Sequence, residues 1–272
     1  MSSWSAVGAT LGVSALVLLA TFTICWRVAI RRNQVSIVDI LWPLAFAIVA
    51  VVGLALGDGY FNLSAVLAWM TFAWAVRLAV YLARRNLGHG EDPRYAAIRD
   101  KIGSRFDRWA LTHIFLTQAG IAWIVSLPLQ VGMNLSGHFR SWSSAGLLLF
   151  VLGYTFESVG DAQLAAFKRD PANAGRVMDR GLWRFTRHPN YFGDACVWWG
   201  IWLTAAVNGW GAATIVGPIL MTFLLVRVTG KRLLEHRLKR TRPGYAEYVA
   251  RTSGFFPLPP RRSVAVGKDA TT

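Results

Sequence analysis

Two pairs of polar side chains, each pair spaced four residues apart, stand inside apolar stretches of the sequence. Glu157 and Asp161 lie in YTFESVGDAQ, and Asn190 and Asp194 lie in PNYFGDAC. In a helix this spacing puts both members of a pair on one face. Two carboxylates on adjacent turns repel each other unless a partner satisfies them. Nearby lysines and arginines could be that partner, but we favour the hydroxyl and amide donors of a ligand.

The second pair directly follows the basic stretch GLWRFTRH. Pro189 suits the first turn of a helix, and the amides of a helix N-terminus attract phosphate. Because Arg187 and His188 stand just before that turn, the segment predicts a polar pocket for an anionic ligand that carries hydroxyl groups. The alternative is headgroup anchoring by arginine and tryptophan, which leaves Asn190 and Asp194 unexplained.

Two further ionisable residues lie within apolar stretches. Asp39 is in SIVDILWP and Arg77 is in WAVRLAVY. Charged groups inside a membrane are costly and mark candidate functional sites. A mutual ion pair that holds two helices together is the alternative explanation for both residues.

The elements that position these groups are membrane helices. The chain has 272 residues, of which 54% are hydrophobic, with 13 tryptophans. Several windows hold the roughly 20 predominantly apolar residues that a span needs. The predicted spans are 6–26, 35–56, 63–83, 110–130, 143–166, 190–207 and 210–229. An uncleaved first span is predicted because its basic residues lie on its far side.

The distribution of lysine and arginine predicts the orientation of the chain. The first, third and fifth loops and the tail hold three, seven, six and eleven of these residues, whereas the even loops hold none, one and none. By the positive-inside rule the odd loops and the tail are cytoplasmic, so the N-terminus is outside. Topology thus explains the net charge of +15. Nucleic-acid binding is disfavoured because no recognition motif accompanies the charge.

Several kinds of site are disfavoured by what the sequence lacks. The two cysteines are far apart and form no CxxC motif, and the five histidines show no ligand spacing, so we predict no disulfide and no metal. No glycine-rich dinucleotide motif and no phosphate-binding loop motif of the Walker type occurs, so a nucleotide would not be held in a Rossmann manner. We expect one domain over residues 1–258 and a disordered tail over 259–272.

The motifs also carry a family resemblance. GLWRFTRHPNYFGD, preceded by ESVGDAQLAAFKRD and followed by TGKRLLEHRL and RPGYAEYV, resembles bacterial membrane proteins related to steroid 5-alpha-reductases. The RHPNYFG core is also similar to sterol C14-reductases and isoprenylcysteine carboxyl methyltransferases. The resemblance implies an all-α membrane protein with seven transmembrane helices, N-terminus outside and C-terminus cytoplasmic, in a steroid 5-alpha-reductase-like bundle of the inner (cytoplasmic) membrane.

The resemblance further implies an NADPH pocket in the cytoplasmic half of the bundle. Its residues would be Glu157, Asp161, Lys168, Arg176, Arg187, His188, Asn190, Tyr191 and Asp194, with a looser match at Lys231, Arg232 and Glu235. Glu157 replaces a family Asn and Asp194 replaces a family Glu, and both changes keep a hydrogen-bond acceptor.

The catalytic pair of the steroid enzymes, a Glu and a Tyr that hold the substrate carbonyl, carries over in part. Asp39 is the counterpart of the Glu, but Trp74 stands at the Tyr position and cannot donate a phenolic proton. Tyr81, about two turns further on, is the candidate substitute. Trp74 at the Tyr position argues against a steroid substrate more strongly than it argues against hydride transfer.

The first hypothesis is therefore an NADPH-dependent reductase of a lipid-soluble enone that enters from the bilayer. A buried, protonated Asp39 would bind the carbonyl oxygen. The second hypothesis is a methyltransferase that uses S-adenosylmethionine, with Glu235 in the tail helix. The third is a non-enzymatic scaffold that binds lipid, for which Trp74 is the main argument.

Overall fold

The computed structural model describes residues 3–57, 61–88, 90–134, 139–228, 235, 238 and 241–261. Within these residues the chain is helical and contains no β-strand. The α-helices are α1 (Ser3–Arg31), α2 (Ile37–Leu56), α3 (Phe61–Asn86), α4 (Pro93–Ile102), α5 (Phe106–Ala110), α6 (Thr117–Val125), α7 (Leu127–Gly132), α8 (Ser141–Arg169), α9 (Pro189–Ala205), α10 (Gly209–Ala213), α11 (Val216–Phe223) and α12 (Tyr245–Arg251).

Five helical segments of the described chain are long and apolar enough to cross a membrane. They are Trp4–Arg31, Ile37–Leu56, Asn62–Asn86, Ser141–Arg169 and Gly209–Val228. These segments coincide with five of the predicted spans. The chain is therefore a multi-pass membrane protein.

The two remaining predicted spans are helical but shorter. The segment predicted at 110–130 consists of a π-helical stretch (Leu111–Leu116) followed by α6 and α7, which are separated at Ser126. Pro128 explains the break, because it lacks the N–H that would bond the Ile124 carbonyl oxygen and its ring clashes with that carbonyl group. Helix α9 has 17 residues, or about 26 Å, slightly less than the hydrocarbon core. The count of seven spans stays a prediction.

The contacts divide the chain into two compact units. The first unit is Met1–Val151 with Val197–Met221, and the second is Leu152–Cys196 with Thr222–Thr272. In the first unit α2 packs against α1 and α3. Its centre contains Phe46, Trp74 and Trp198, all fully buried, with ring centroids 4.5 to 5.6 Å apart. Trp74 is thus a core residue.

The second unit combines the C-terminal part of α8, the loop that follows it, the start of α9 and the segment around α12. The Tyr248 hydroxyl donates to the Trp183 carbonyl oxygen at 2.5 Å, and the Thr186 hydroxyl donates to that of Phe255 at 2.8 Å. Gly244, with φ 77°, is the N-cap that directly precedes α12. Arg261 N–H donates to the Arg251 carbonyl oxygen, which places the first residues of the predicted tail on the unit. Residues 262–272 lie outside the described residues.

Candidate functional site

In the second unit, glycines let α8 and α9 approach at backbone contact. A Cβ on Gly193 would lie 2.5 Å from the Glu157 nitrogen and 2.6 Å from the Gly153 carbonyl oxygen. One on Gly160 would lie 3.1 Å from the Pro189 ring. Small residues permit such close helix packing in membranes. The approach places the helix faces that carry the two predicted polar pairs against each other.

The two pairs are joined by a hydrogen bond between Asn190 and Asp161, which with the neighbouring acids we call the polar cluster. Glu157, Asp161 and Asp194 are buried, and Asn190 is half-buried. The Asn190 amide Nδ2 donates to Asp161 Oδ1 at 3.2 Å. Asn190 Oδ1 is buried and accepts no hydrogen bond from the part of the chain that the structure describes. A buried acceptor of this kind is costly unless a donor reaches it, so the cluster suits a ligand with hydroxyl or amide donors.

Beside this cluster, Arg187 forms a buried ion pair with Glu235. Arg187 Nε donates to Glu235 Oε1 at 2.8 Å and Nη2 donates to Oε2 at 3.3 Å. Its Nη1 donates to the carbonyl oxygens of Val249 and Thr252 at 3.1 and 2.5 Å. Four of the five guanidinium N–H groups are therefore engaged by the protein.

Glu235 also contacts His188, whose Nε2 lies 3.1 Å from Glu235 Oε1. Burial would raise the pKa of Glu235, but the hydrogen bonds from His188 and Arg187 outweigh that effect and lower the pKa to about 2. The His188 ring stacks on Tyr191, with centroids 5.1 Å apart and an interplanar angle of 4°. His188 is thus held between a carboxylate and an aromatic ring.

A cavity of about 280 Å³ lies next to this ion pair. Four of the predicted cofactor residues line it, namely Lys168, Arg176, Arg187 and His188. The cavity is also lined by four residues that were not predicted as site residues: Arg242, Trp183, Tyr245 and Tyr248. The volume is just below the roughly 300–1,000 Å³ of small-molecule sites, so the cavity is large enough for part of a larger ligand.

In the first unit, Asp39 forms a second polar site. Asp39 Oδ2 accepts from Arg94 Nη2 at 3.1 Å, and Oδ1 accepts from the Tyr95 hydroxyl at 3.0 Å. Burial, followed by the Asp39 charge, raises the pKa of the Tyr95 hydroxyl, which therefore stays a donor at neutral pH. The ion pair of Asp39 is with Arg94, and the alternative pairing with Arg77 was wrong. The Tyr81 ring lies 5.9 Å from the Arg85 guanidinium carbon.

Glu91 fixes the segment that carries Arg94 and Tyr95. Its Oε1 and Oε2 accept from the backbone N–H groups of Ser36 and Val35, at 3.1 and 2.5 Å. Those amides precede α2, so Glu91 and Asp39 together bind the α4 segment to the start of α2. Helix α4 lies in the third predicted loop.

We expect Asp39→Asn to loosen α4 without affecting the second unit. The substitution removes the charge that holds Arg94 and weakens the contact with Tyr95, so local opening of α4 requires less free energy. Hydrogen–deuterium exchange should rise in residues 93–102 and stay unchanged in α8. Asp107→Asn, which removes an exposed ion pair with Arg99, is the matched control. Unchanged exchange of α4 in Asp39→Asn would show that this contact does not anchor it.

Several residues that reach these sites through tertiary contacts were not predicted from the sequence. Arg94 and Tyr95 follow Asp92-Pro93, an N-cap with a proline in the first turn, which predicts a helix but not its contact with Asp39. Arg242 stands next to a Pro-Gly break and carries no signal of the cavity. Lys231 and Arg232, which were predicted to bind the cofactor, lie outside the described residues.

Comparison with known proteins gives the family. A family model described as protein of unknown function (DUF1295) matches residues 25–252, and the chain belongs to this family. A protein of Schizosaccharomyces pombe (strain 972), described as uncharacterized, is 25% identical in an alignment that covers 86% of this chain and 76% of the yeast protein. No solved structure matches the chain significantly.

Proposed function

We propose that the chain is an integral-membrane, NADPH-dependent reductase of a lipid-soluble enone. The proposal includes seven spans with the N-terminus outside and the C-terminus cytoplasmic, in the inner (cytoplasmic) membrane. The alternation of basic loops supports this orientation. An apolar substrate would reach such a protein from the bilayer.

The observation that carries the proposal is the combination of charges in the second unit. Cationic side chains, those of Lys168, Arg176 and Arg242, line a cavity in a unit that also buries the acid–amide cluster of Asp161 and Asn190. Guanidinium and ammonium groups suit phosphates, whereas carboxylate and amide oxygens suit ribose hydroxyls and a carboxamide. A phosphorylated dinucleotide presents both kinds of group.

The residues of the second unit fit NADPH in separate roles. Lys168 and Arg176 would meet phosphates, and Asp161, Asn190 and Asp194 would accept hydrogen bonds. Arg187 is bound to Glu235 and two carbonyl oxygens, so we assign it to shaping the cavity wall rather than to direct phosphate binding. Bound there, NADPH would supply the hydride for an activated carbon–carbon double bond.

In the first unit, a phenol rather than Asp39 is the proposed donor to a substrate carbonyl. Both Asp39 oxygens accept hydrogen bonds, which is the arrangement of a carboxylate rather than of a donating acid. The Tyr95 hydroxyl already donates its one proton to Asp39, so the donor role in this proposal passes to Tyr81. A hydrogen bond to the carbonyl would stabilise the charge that develops on its oxygen during reduction.

One observation keeps methyl transfer as a second candidate. Three buried carboxylates, Glu157, Asp161 and Asp194, would offset the sulfonium charge of S-adenosylmethionine. The cationic cavity disfavours this candidate, because that cofactor carries no phosphate. A non-enzymatic lipid-binding scaffold needs neither feature.

Ligand-induced thermal shifts of the purified, detergent-solubilised chain test the proposal. A ligand that binds the native state raises the melting temperature by mass action. We expect a shift with NADPH and none with S-adenosylmethionine. Asn190→Ala should abolish the NADPH shift because it removes the donor to Asp161 and the buried acceptor.

Asn62→Ala, at an exposed position of α3, is the control and should keep the full shift. A shift with S-adenosylmethionine alone would replace the reductase with the methyltransferase. The absence of a shift with either cofactor would favour the scaffold.

A further inference from the structure

Two arginines meet at one turn of the cavity in the second unit. Gly175 has φ 80°, and a Cβ placed on it would lie 3.8 Å from Arg242 Nη1. The Arg242 guanidinium therefore rests against the backbone directly before Arg176. Both arginines line the cavity. The turn thus brings two cations from distant parts of the sequence to one small space.

The carboxylates near this turn are engaged elsewhere. Asp170 accepts from the Ala172 N–H at 2.9 Å and from Asn173 Nδ2 at 3.3 Å, so it caps its own turn. Asp179 is paired with Arg251, and Glu235 is paired with Arg187.

In the described part of the chain neither Arg176 nor Arg242 forms a salt bridge with a carboxylate. Two guanidinium groups that share a cavity repel each other, and an anion bound between them would offset that repulsion with charge-assisted hydrogen bonds.

The walls beside the two arginines are aromatic and fixed. Trp183 and Tyr248 are buried. The Tyr248 hydroxyl donates to the Trp183 carbonyl oxygen, and Trp183 Nε1 donates to that of Gly160 at 3.0 Å. Tyr245 lies beside Tyr248, with ring centroids 5.8 Å apart. A rigid apolar wall next to two cations suits a phosphate group attached to a nucleoside.

We infer that Arg242, together with Arg176, clamps a phosphate monoester of the ligand and makes the second unit select NADPH over NADH. This inference rests on the proposed function. Both dinucleotides share the pyrophosphate, and only NADPH carries the additional 2′-phosphate monoester. A monoester bears nearly two negative charges at neutral pH, so the two guanidinium groups, which no described carboxylate pairs, match it in charge and in fork geometry.

Calorimetric titration of the full chain in detergent with NADPH and with NADH tests this clamp. We expect the wild type to bind NADPH more tightly than NADH. Arg242→Gln should weaken NADPH binding by roughly 10- to 100-fold, the effect of losing a charged hydrogen-bond partner, and should change NADH binding less than about twofold. Arg176→Gln, at an exposed loop position, should show the same selective loss if Arg242→Gln does not fold.

Arg184→Gln is the matched control, because it removes one positive charge from an exposed site of the same unit and should leave both affinities unchanged. Equal affinity of the wild type for both dinucleotides would overturn the clamp while preserving the proposed function. An equal loss of both affinities in Arg242→Gln would also overturn the clamp. If the wild type binds neither dinucleotide, the proposed function itself fails and the clamp fails with it.

Discussion

Arg187→Ala is expected to lower the free energy of unfolding by about 3–5 kcal/mol, the usual cost of breaking a buried ion pair by removing one partner. The Arg187 side chain is 9% exposed and that of Glu235 is 13% exposed. The substitution removes the two hydrogen bonds that Glu235 accepts from Arg187. It also removes the hydrogen bonds that Arg187 donates to the carbonyl oxygens of Val249 and Thr252. The C-terminal segment should therefore detach from the loop before α9. Unfolding of the purified chain by a denaturing detergent measures the loss.

Arg251→Ala is the control for this prediction. Arg251 pairs with Asp179 at the surface, with side chains 46% and 36% exposed, and such pairs contribute about 0–1 kcal/mol. The pKa of Glu235 is about 2 in the folded chain, below its ordinary value of 4.5. The stabilisation from Glu235 is thus complete above pH 4.5 and is lost as the pH falls towards 2. Equal losses in Arg187→Ala and Arg251→Ala would contradict the structural role of the buried pair.

Gly193→Ala is expected to abolish cofactor binding and to destabilise the chain by about 1–3 kcal/mol, as overpacking does. The new methyl group would meet backbone atoms of Gly153 and Glu157 at 2.6 and 2.5 Å. Because backbone cannot rotate away, α8 and α9 must separate. The separation would move Asn190 away from Asp161 and dismantle the polar cluster. Thermal unfolding with and without NADPH measures both effects.

Substitutions of two other glycines serve as comparisons for Gly193→Ala. Gly160→Ala would meet the Pro189 ring at 3.1 Å, so a smaller loss is expected. Gly120→Ala has no atom within 4 Å of the added carbon and should be neutral or slightly stabilising, since alanine favours helix. If Gly193→Ala behaves like Gly120→Ala, the close approach of α8 and α9 is not needed for the site.

Periodicity alone predicted the part of the site that lies on helices. Glu157 with Asp161, and Asn190 with Asp194, share helix faces because of their spacing, and the structure places Asp161 against Asn190. Five of the predicted spans are helices long and apolar enough to cross a membrane, and such helices are visible in composition. The interruption near Pro128 shows that an apolar window does not guarantee one continuous helix.

Contacts between distant segments could not be predicted in this way. Asp39 binds Arg94 and Tyr95, and Arg242 lies against the turn at Gly175. Both contacts form because polar connecting segments bring distant parts of the sequence together. No periodic pattern links such residues. The Arg187–Glu235 pair shows the same limit: both residues were predicted at the site, but not that they would bind each other.

The central claim, hydride transfer from a cofactor in the second unit to a lipid-soluble acceptor, is tested most directly by isotope transfer. Membranes from cells that naturally make the chain, with the chain present or deleted, would receive NADPH that carries deuterium at both C4 positions. Mass spectrometry of the extracted lipids would then detect carbon-bound deuterium. We predict that a lipid gains one deuterium only when the wild-type chain is present, and that Asn190→Ala abolishes this gain. Lipids with the same deuterium content in both membranes would contradict the reductase.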